Sequence, residues 1–173
     1  MAMDFNELLA KQEELNKKKT ESVAEGAREV TKVLTFSIDD QIYGIEIPNV
    51  IEIIGIPRIT TVPGVPYYIK GIINVRSKVV PVVDIRSRFG KEEIEYNERS
   101  STIIVSYEDI QVGIIVDEVR DVLSVFEKYI AKSPNHIGVN NNKFIKYLLE
   151  MPDGIKLVLD VNKLVYENDS YGE

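Results

Sequence analysis

The chain has 173 residues, a formal net charge of −7 at pH 7 and no cysteine. The acidic balance argues against a nucleic-acid backbone or an anionic membrane surface as the main partner, and without cysteine the chain has no disulfide or thiolate chemistry. Because the N-terminus lacks the apolar core of a signal peptide and no apolar run reaches the length of a membrane span, we expect a cytoplasmic protein without direct membrane insertion.

The N-terminal segment, residues 1–30, differs in composition from the rest of the chain. It is rich in Lys, Glu and Gln, and it has few aromatic residues. Phe5, Leu8, Leu9 and Leu15 lie at roughly helical spacing, which predicts a short helix from about Asp4 to Lys17. The composition predicts a flexible or partly helical tail, and the alternative is a helix that docks on a partner.

From Lys32 onward the apolar period changes from helical spacing to two. Leu34, Phe36 and Ile38 alternate with polar residues, and a second alternating run follows the Asp39–Gln41 turn. This pattern is typical of a β-hairpin with one buried face.

A central stretch from Gly71 to Ile85 contains two Val- and Ile-rich runs around a short polar break, Asn74 to Lys78. The runs predict buried strands and the break predicts a tight turn, so this stretch forms a second hairpin. Arg76 lies at or near its tip, where a charge cannot easily enter the core and therefore faces water or a partner.

The second half of the chain echoes the first. Gly44 corresponds to Gly113 and Val50 to Val119 at one constant offset, and the run ending at Asp84 has a counterpart ending at Asp160. This pattern indicates an internal duplication, although chance patterning of β-hairpins could produce something similar. Each half is too small to bury much core alone, so we expect two lobes that pack through apolar faces with a groove at their seam.

No set of residues in the sequence has the pattern of a catalytic or metal site. The single histidine, His136, lies in a loop rich in Pro, Asn and Gly, and a zinc site needs more ligands than this. Asp84 and Asp160 each precede a predicted short helix, where N-capping explains a carboxylate. The sequence therefore favours a binding module without cofactors.

The central stretch resembles the signature of the CheW family of bacterial chemotaxis coupling proteins. The matching blocks are Ile69 to Arg76 with Val79 to Arg86, and two further blocks, Tyr43 to Ile53 and Val112 to Val122, occur in the expected order. The resemblance covers about Val33 to Val165. It departs at Ser77, where the family commonly has glycine, and this departure concerns only the geometry of the turn.

The resemblance implies an all-β fold of two packed five-stranded SH3-like β-barrels with short helices and a flexible N-terminal tail. It places the family domain at residues 31–168, with the first barrel at roughly 31–90 and the second at roughly 100–160. Exchange of strands between the barrels is possible within this scheme, and residues 169–173 form a C-terminal tail.

The resemblance also implies a function. Proteins of this family are non-catalytic adaptors that couple the cytoplasmic tips of chemoreceptors to the histidine kinase CheA. The regulatory domain of the kinase pairs with them end to end, and receptor helices dock in the groove between the barrels. We therefore expect a protein that is monomeric when free, is recruited to membrane-bound receptor arrays and does not bind nucleic acid.

The resemblance suggests seven residues that face a partner, namely Arg76, Asn74, Gly71, Val50, Glu52, Gly113 and Val119. Each residue also has a purely structural explanation. The two valines suit a core, the two glycines suit a close backbone approach within a strand, and the arginine suits a solvated turn.

Three other classes of protein compete with this interpretation. A nucleic-acid-binding barrel is opposed by the acidic balance and by the lack of a basic stripe with interleaved aromatics. A small β-barrel enzyme is opposed by the missing site. The coupling half of a larger protein such as CheV is a closer alternative, and we favour a stand-alone coupler because no receiver domain follows Glu173.

Overall fold

The computed structural model describes residues 4–19, 28–131 and 142–166. His136 and the C-terminal tail at 169–173 lie outside these ranges. The α-helices are α1 (Phe5–Lys19), α2 (Ile85–Arg88) and α3 (Val161–Tyr166). The strands are β1 (Glu29–Ile38), β2 (Gln41–Glu46), β3 (Val50–Ile54), β4 (Ile69–Val75), β5 (Lys78–Asp84), β6 (Ser101–Tyr107), β7 (Ile110–Val116), β8 (Glu118–Phe126), β9 (Ile130–Ala131), β10 (Ile145–Met151) and β11 (Gly154–Leu159). Short 3-10 helices lie at Ile47–Asn49, Glu127–Tyr129 and Asn142–Phe144.

The strands form two sheets, as the predicted all-β fold requires. The six-stranded sheet has the order β8-β1-β2-β11-β10-β9, and the five-stranded sheet has the order β3-β6-β7-β5-β4. The predicted hairpins are present as β1–β2 and β4–β5, and both are antiparallel. Two pairings, β2 with β11 and β5 with β7, are parallel. Each helix in the described part of the chain falls short of the length and apolar character that a bilayer crossing requires.

The sheets do not follow the predicted barrel boundaries of 31–90 and 100–160. Strands β1 and β2 of the first half lie in the sheet that contains β8 to β11, and β6 and β7 of the second half lie in the sheet with β3 to β5. Each sheet therefore contains strands from both halves of the sequence. The two hairpins form locally, but the strands that cover their edges come mostly from the other half, so neither half completes a sheet alone.

The register of the sheets places the predicted repeat residues in equivalent positions. Gly44 on β2 lies opposite Val158 on β11, and Gly113 on β7 lies opposite Val82 on β5. These two glycines lie in the two parallel pairings found among the described strands. The internal duplication read from the sequence thus has a counterpart in the pairing of the strands.

The largest apolar cluster lies between the two sheets and includes buried side chains from both. Its centre is a chain of aromatic rings in which Tyr43 stacks on Phe36 and contacts Phe89, and Phe89 contacts Phe144, at centroid distances of 5.8, 5.3 and 5.6 Å. Two smaller clusters are separate from it. One surrounds Ile73 in the five-stranded sheet, and the other surrounds Leu149 in the six-stranded sheet. The two sheets therefore pack on each other through apolar faces.

Helix α1 belongs to the segment that the sequence predicts as a flexible or partly helical tail. It runs from Phe5 to Lys19, slightly longer than predicted, and the Asp4 carboxylate accepts a hydrogen bond from Asn6 N at 3.0 Å. Leu8 is only 4% exposed, and Phe5 and Leu9 also pack against the central cluster. The helical form of the tail is the one present here, and its apolar side is packed against the domain.

Both predicted helix caps are present. Asp84 Oδ1 accepts hydrogen bonds from the backbone N–H groups of Arg86 and Ser87 at 2.9 and 3.3 Å, and Asp160 Oδ1 accepts one from Lys163 N at 3.3 Å. The other oxygen of Asp84 accepts a hydrogen bond from the Tyr96 hydroxyl at 2.6 Å. Burial, together with the neighbouring Asp84 carboxylate, raises the pKa of Tyr96, so this hydroxyl keeps its proton and ties the segment between α2 and β6 to the start of α2.

A buried arginine on α2 joins hairpins of the two halves, and the sequence analysis missed this link. Arg86 Nη1 donates to Asp39 Oδ1 at 2.6 Å and to Asp117 Oδ2 at 2.8 Å, and Arg86 Nε donates to the Glu92 carbonyl at 2.8 Å. Asp39 lies in the β1–β2 turn, and Asp117 directly follows β7. The hydrogen bond from Arg86 lowers the pKa of Asp39 below its ordinary value.

This contact predicts a pH-dependent contribution to stability. Because the Asp39 pKa is lower in the folded chain than in the unfolded one, its contribution is fully present above about pH 5 and is lost as the pH falls through the folded pKa. Asp39→Asn should lower the free energy of unfolding at pH 7 by up to about 1 kcal/mol, since the carboxylate is half exposed. Urea titrations between pH 7 and about pH 3 should converge for the two chains.

The neighbouring Asp40, which is exposed in the same turn, provides the matched control. Asp40→Asn should follow the wild-type stability at every pH. Parallel curves for wild type and Asp39→Asn across this range would show that the contact with Arg86 does not act through the charge of Asp39.

Candidate partner-binding site

The turn between β4 and β5 consists of Arg76 and Ser77, as the polar break predicts. Both have positive φ angles, 49° and 66°, which is the pattern of a two-residue type I′ hairpin turn. Asn74 Oδ1 accepts a hydrogen bond from the Ser77 backbone N–H at 3.1 Å. Ser77 therefore occupies the left-handed conformation without the glycine that is usual in the family, and Asn74 helps to hold the turn.

Arg76 forms a forked ion pair with Glu52 on β3. Its Nε lies 3.2 Å from Glu52 Oε1, and its Nη2 lies 3.5 Å from Glu52 Oε2. The carboxylate raises the pKa of Arg76. Strands β3 and β4 are the two outer strands of the five-stranded sheet, so this pair connects opposite edges of the sheet. The sequence analysis named both residues but did not predict that they would meet.

The arginine remains accessible despite this pair. Its side chain is 81% exposed, whereas that of Glu52 is 21% exposed. Asn74 is exposed beside it, and Val79, which lies opposite Asn74 in the hairpin, is 67% exposed. We call the set Glu52, Asn74, Arg76 and Val79 the hairpin surface. It combines a fixed cation, an amide and an exposed apolar side chain.

The two candidate glycines are buried and serve the packing of the strands. A Cβ on Gly71 would lie 2.1 Å from the Thr60 carbonyl oxygen, and the φ of Gly71 is +148°. The close approach lets Thr60 and Ile72 exchange two backbone hydrogen bonds of 2.9 Å. At Gly113 a Cβ would lie 3.1 Å from Thr102 Cγ2. Neither glycine reaches the surface of the folded chain, so the close-approach explanation applies to both.

The two candidate valines occupy equivalent positions with different exposure. Val50 lies opposite Val105 and is 8% exposed, so it belongs to the core. Val119 lies opposite Phe36 and is only partly buried against the central cluster. Of the two valines, Val119 is the one that a partner could reach at the seam.

An open cleft of about 500 Å³ lies beside Val119. It is also lined by Glu98, Arg99, Ser101, Glu118, Arg120 and Asp121. Charges of both signs surround the cleft, and Arg120 Nη2 lies 3.4 Å from Glu118 Oε2. Within the ranges that the structure describes, no group of His, Cys, Asp and Glu side chains could hold a metal ion.

A scan against protein-family models matches residues 32–169 to the CheW-like domain. The chain belongs to the CheW family. The match spans the two sheets and leaves α1 outside. The resemblance that the sequence analysis noted is therefore confirmed, and with it the SH3-like all-β fold of this family.

Individual relatives support membership of the CheW family over most of the chain. The chemotaxis protein CheW of Bacillus subtilis is 33% identical over 139 residues, which cover 80% of this chain and 89% of the relative. The chemotaxis protein CheW of Klebsiella aerogenes is 31% identical and covers 76% and 80%. Among solved structures, the scaffolding protein TtCheW from Thermoanaerobacter tengcongensis has a TM-score of 0.73 and 30% identity, covering 80% of this chain and 94% of that one. A chemotaxis coupling role follows from this family.

The contact at Gly71 predicts a strong effect of a single methyl group. Gly71→Ala should lower the free energy of unfolding by about 2–4 kcal/mol, because the new Cβ collides with the backbone of Thr60 at a positive φ. Chemical denaturation measures this directly. Gly55→Ala is the control, since a Cβ there meets nothing within 4 Å, and it should change stability by less than about 0.5 kcal/mol. Equal effects of the two substitutions would contradict the assignment.

Proposed function

We propose that this chain is a non-catalytic adaptor that couples chemoreceptors to the histidine kinase CheA and is recruited to receptor arrays at the membrane. The observation that carries the proposal is the exposed Arg76, held on a rigid two-residue turn in a chain of the CheW family. The scaffolding role named for the structural relative supports an adaptor rather than an enzyme. Two separate surfaces of the molecule suit the two partners.

The hairpin surface suits the regulatory domain of CheA. Ile73, Val80 and Val82 of this hairpin pack into the cluster inside the five-stranded sheet, apart from the central cluster at the seam. The hairpin tip exposes Arg76 to solvent, where a domain of the same fold could pair end to end. Arg76 keeps most of its guanidinium in water, and its planar donors can bind a further carboxylate bidentately.

The seam beside Val119 suits a receptor helix. Such a helix presents an apolar stripe that can contact Val119, and charged flanks that can pair with the charges of both signs around the cleft. Val119 lies at the start of β8, where the central cluster reaches the open cleft. Val50, its equivalent in the repeat, is enclosed in the core, so we assign the helix contact to Val119.

Arg76→Ala tests the kinase surface. The variant should keep the circular-dichroism spectrum and the melting temperature, because an exposed ion pair contributes little to folding. Its affinity for the assembly of receptor and CheA should fall by at least about 30-fold, the scale of a central interface arginine. Arg76→Lys should recover only part of this loss, because lysine lacks the guanidinium fork.

The neighbouring Lys78, exposed on the same hairpin, gives the matched control. Lys78→Ala should bind within a few-fold of wild type, and higher salt should weaken the wild type more than Arg76→Ala. If Arg76→Ala couples receptors to kinase as well as the wild type does, Arg76 is a solvated turn residue and the proposed kinase surface is wrong.

Val119→Lys tests the receptor surface separately. The long lysine can direct its charge into the cleft, so the fold should persist while affinity for a receptor tip fragment falls by about tenfold or more. Affinity for the CheA regulatory domain should stay at the wild-type level in isothermal titrations. Val30→Lys, at a residue that is 52% exposed on β1, should affect neither partner. Equal loss of both partners with unfolding would show that Val119 is a core residue only.

A further inference from the structure

We propose that α1 is an internal ligand of the helix-binding groove, and that a receptor helix must displace it in order to bind. This inference rests on the proposed function, because it concerns the same seam. It adds a segment of this chain that competes with the partner. The matched family range begins at residue 32, so the competitor is an addition to the family domain.

The first observation is the form of α1. Phe5, Leu8, Leu9 and Gln12 lie at positions i, i+3, i+4 and i+7, which place them along one side of a helix. Leu8 and Gln12 are 4% and 8% exposed, whereas Leu15 on the same helix is 51% exposed. Leu15 follows Leu8 by seven residues and so lies on the same side of the helix, beyond the part of the stripe that is buried. The first turns of α1 therefore bury one apolar stripe. This is the chemistry by which an amphipathic helix from a partner would enter a groove.

The second observation is where α1 lies. It contacts β8, which contains Val119 near its start and forms one edge of the six-stranded sheet. Leu8 is a member of the central cluster, to which Val122 of β8 also belongs and against which Val119 packs. The apolar surface of β8 that continues from the open cleft thus receives α1 in the isolated chain, while α1 itself does not line the cleft. A second helix cannot cover this surface while α1 occupies it.

The third observation is how α1 is attached. Residues 20–27 separate it from the first residues of the domain at Arg28, so the helix and its site belong to one chain. A tethered ligand acts at a high effective concentration, and modest intrinsic affinity is enough to keep it bound. If α1 is docked in about nine molecules of ten, the apparent dissociation constant of a competing helix is about tenfold higher.

Two substitutions on the same helix separate competition from a general effect on charge. Leu8→Asp places a carboxylate on the buried stripe and should release α1, whereas Leu15→Asp makes the same change at an exposed position two turns further along the helix. Isothermal titration of each full-length chain with a chemoreceptor tip fragment should give about tenfold tighter binding for Leu8→Asp and wild-type binding for Leu15→Asp. If Leu8→Asp binds the fragment as wild type does or more weakly, the proposal is overturned.

Thermal unfolding accompanies these titrations, and Leu8→Ala replaces Leu8→Asp if the carboxylate prevents folding. The milder variant should also bind more tightly than wild type. Hydrogen exchange supplies a second measurement on the unmodified chain. The amides of residues 5–19 should lose protection when the receptor fragment is added, and unchanged protection in the complex would overturn displacement.

A titration without any receptor separates this inference from the proposed function. A fluorescein-labelled peptide of residues 4–19 should bind full-length Leu8→Asp, whose groove is open, at least about tenfold more tightly than it binds wild type or Leu15→Asp. Failure of the receptor fragment to bind any chain would overturn the proposed function, and the peptide titration would then decide the role of α1 alone. Equal binding of the peptide to all three chains, or no binding to Leu8→Asp, would overturn the internal-ligand proposal.

Discussion

The apolar contact between the two sheets is the constraint on which the other features of this molecule depend. The aromatic chain from Phe36 through Tyr43 and Phe89 to Phe144 joins β1, β2 and the end of α2, all in the first half, to a 3-10 helix of the second half. Burial of apolar side chains between the sheets supplies most of the stabilising free energy that a small β-lobe lacks when it is alone. It also creates the seam, so the surface that stabilises the domain and the surface offered to a helix are continuous.

Much of the local structure could be predicted from the sequence, because period-two alternation and turn chemistry act over a few residues. The hairpin around Arg76, the caps at Asp84 and Asp160 and the equivalence of Gly44 with Gly113 were all available in this way. The exchange of hairpins between the sheets was not, since a strand's own pattern shows which face is buried and not which strand lies beside it. The resemblance to the CheW family implied two barrels, but it gave an exchange of strands between them only as a possibility.

The candidate site shows the same division between local and distant contacts. Exposure of Arg76 followed from its turn, but its pairing with Glu52 joins residues that meet only when the sheet closes. The Arg86 contacts with Asp39 and Asp117 are likewise between distant parts of the chain, and no sequence motif marks them. Composition alone suggested a solvated N-terminal tail, although the apolar spacing that includes Leu8 was already the signal for a docked helix.

The parallel pairing of β2 with β11 has a consequence for synthesis of the chain. The edge of β2 receives its partner only through residues such as Leu157 and Val158, close to the C-terminal end of the domain. At ordinary rates of translation, that partner emerges roughly ten seconds after β2. During this interval the first hairpin carries an unpaired, largely apolar edge, which is the kind of surface that chaperones bind and that neighbouring nascent chains can pair with. The last strands therefore close the domain and end its period of exposure on the ribosome.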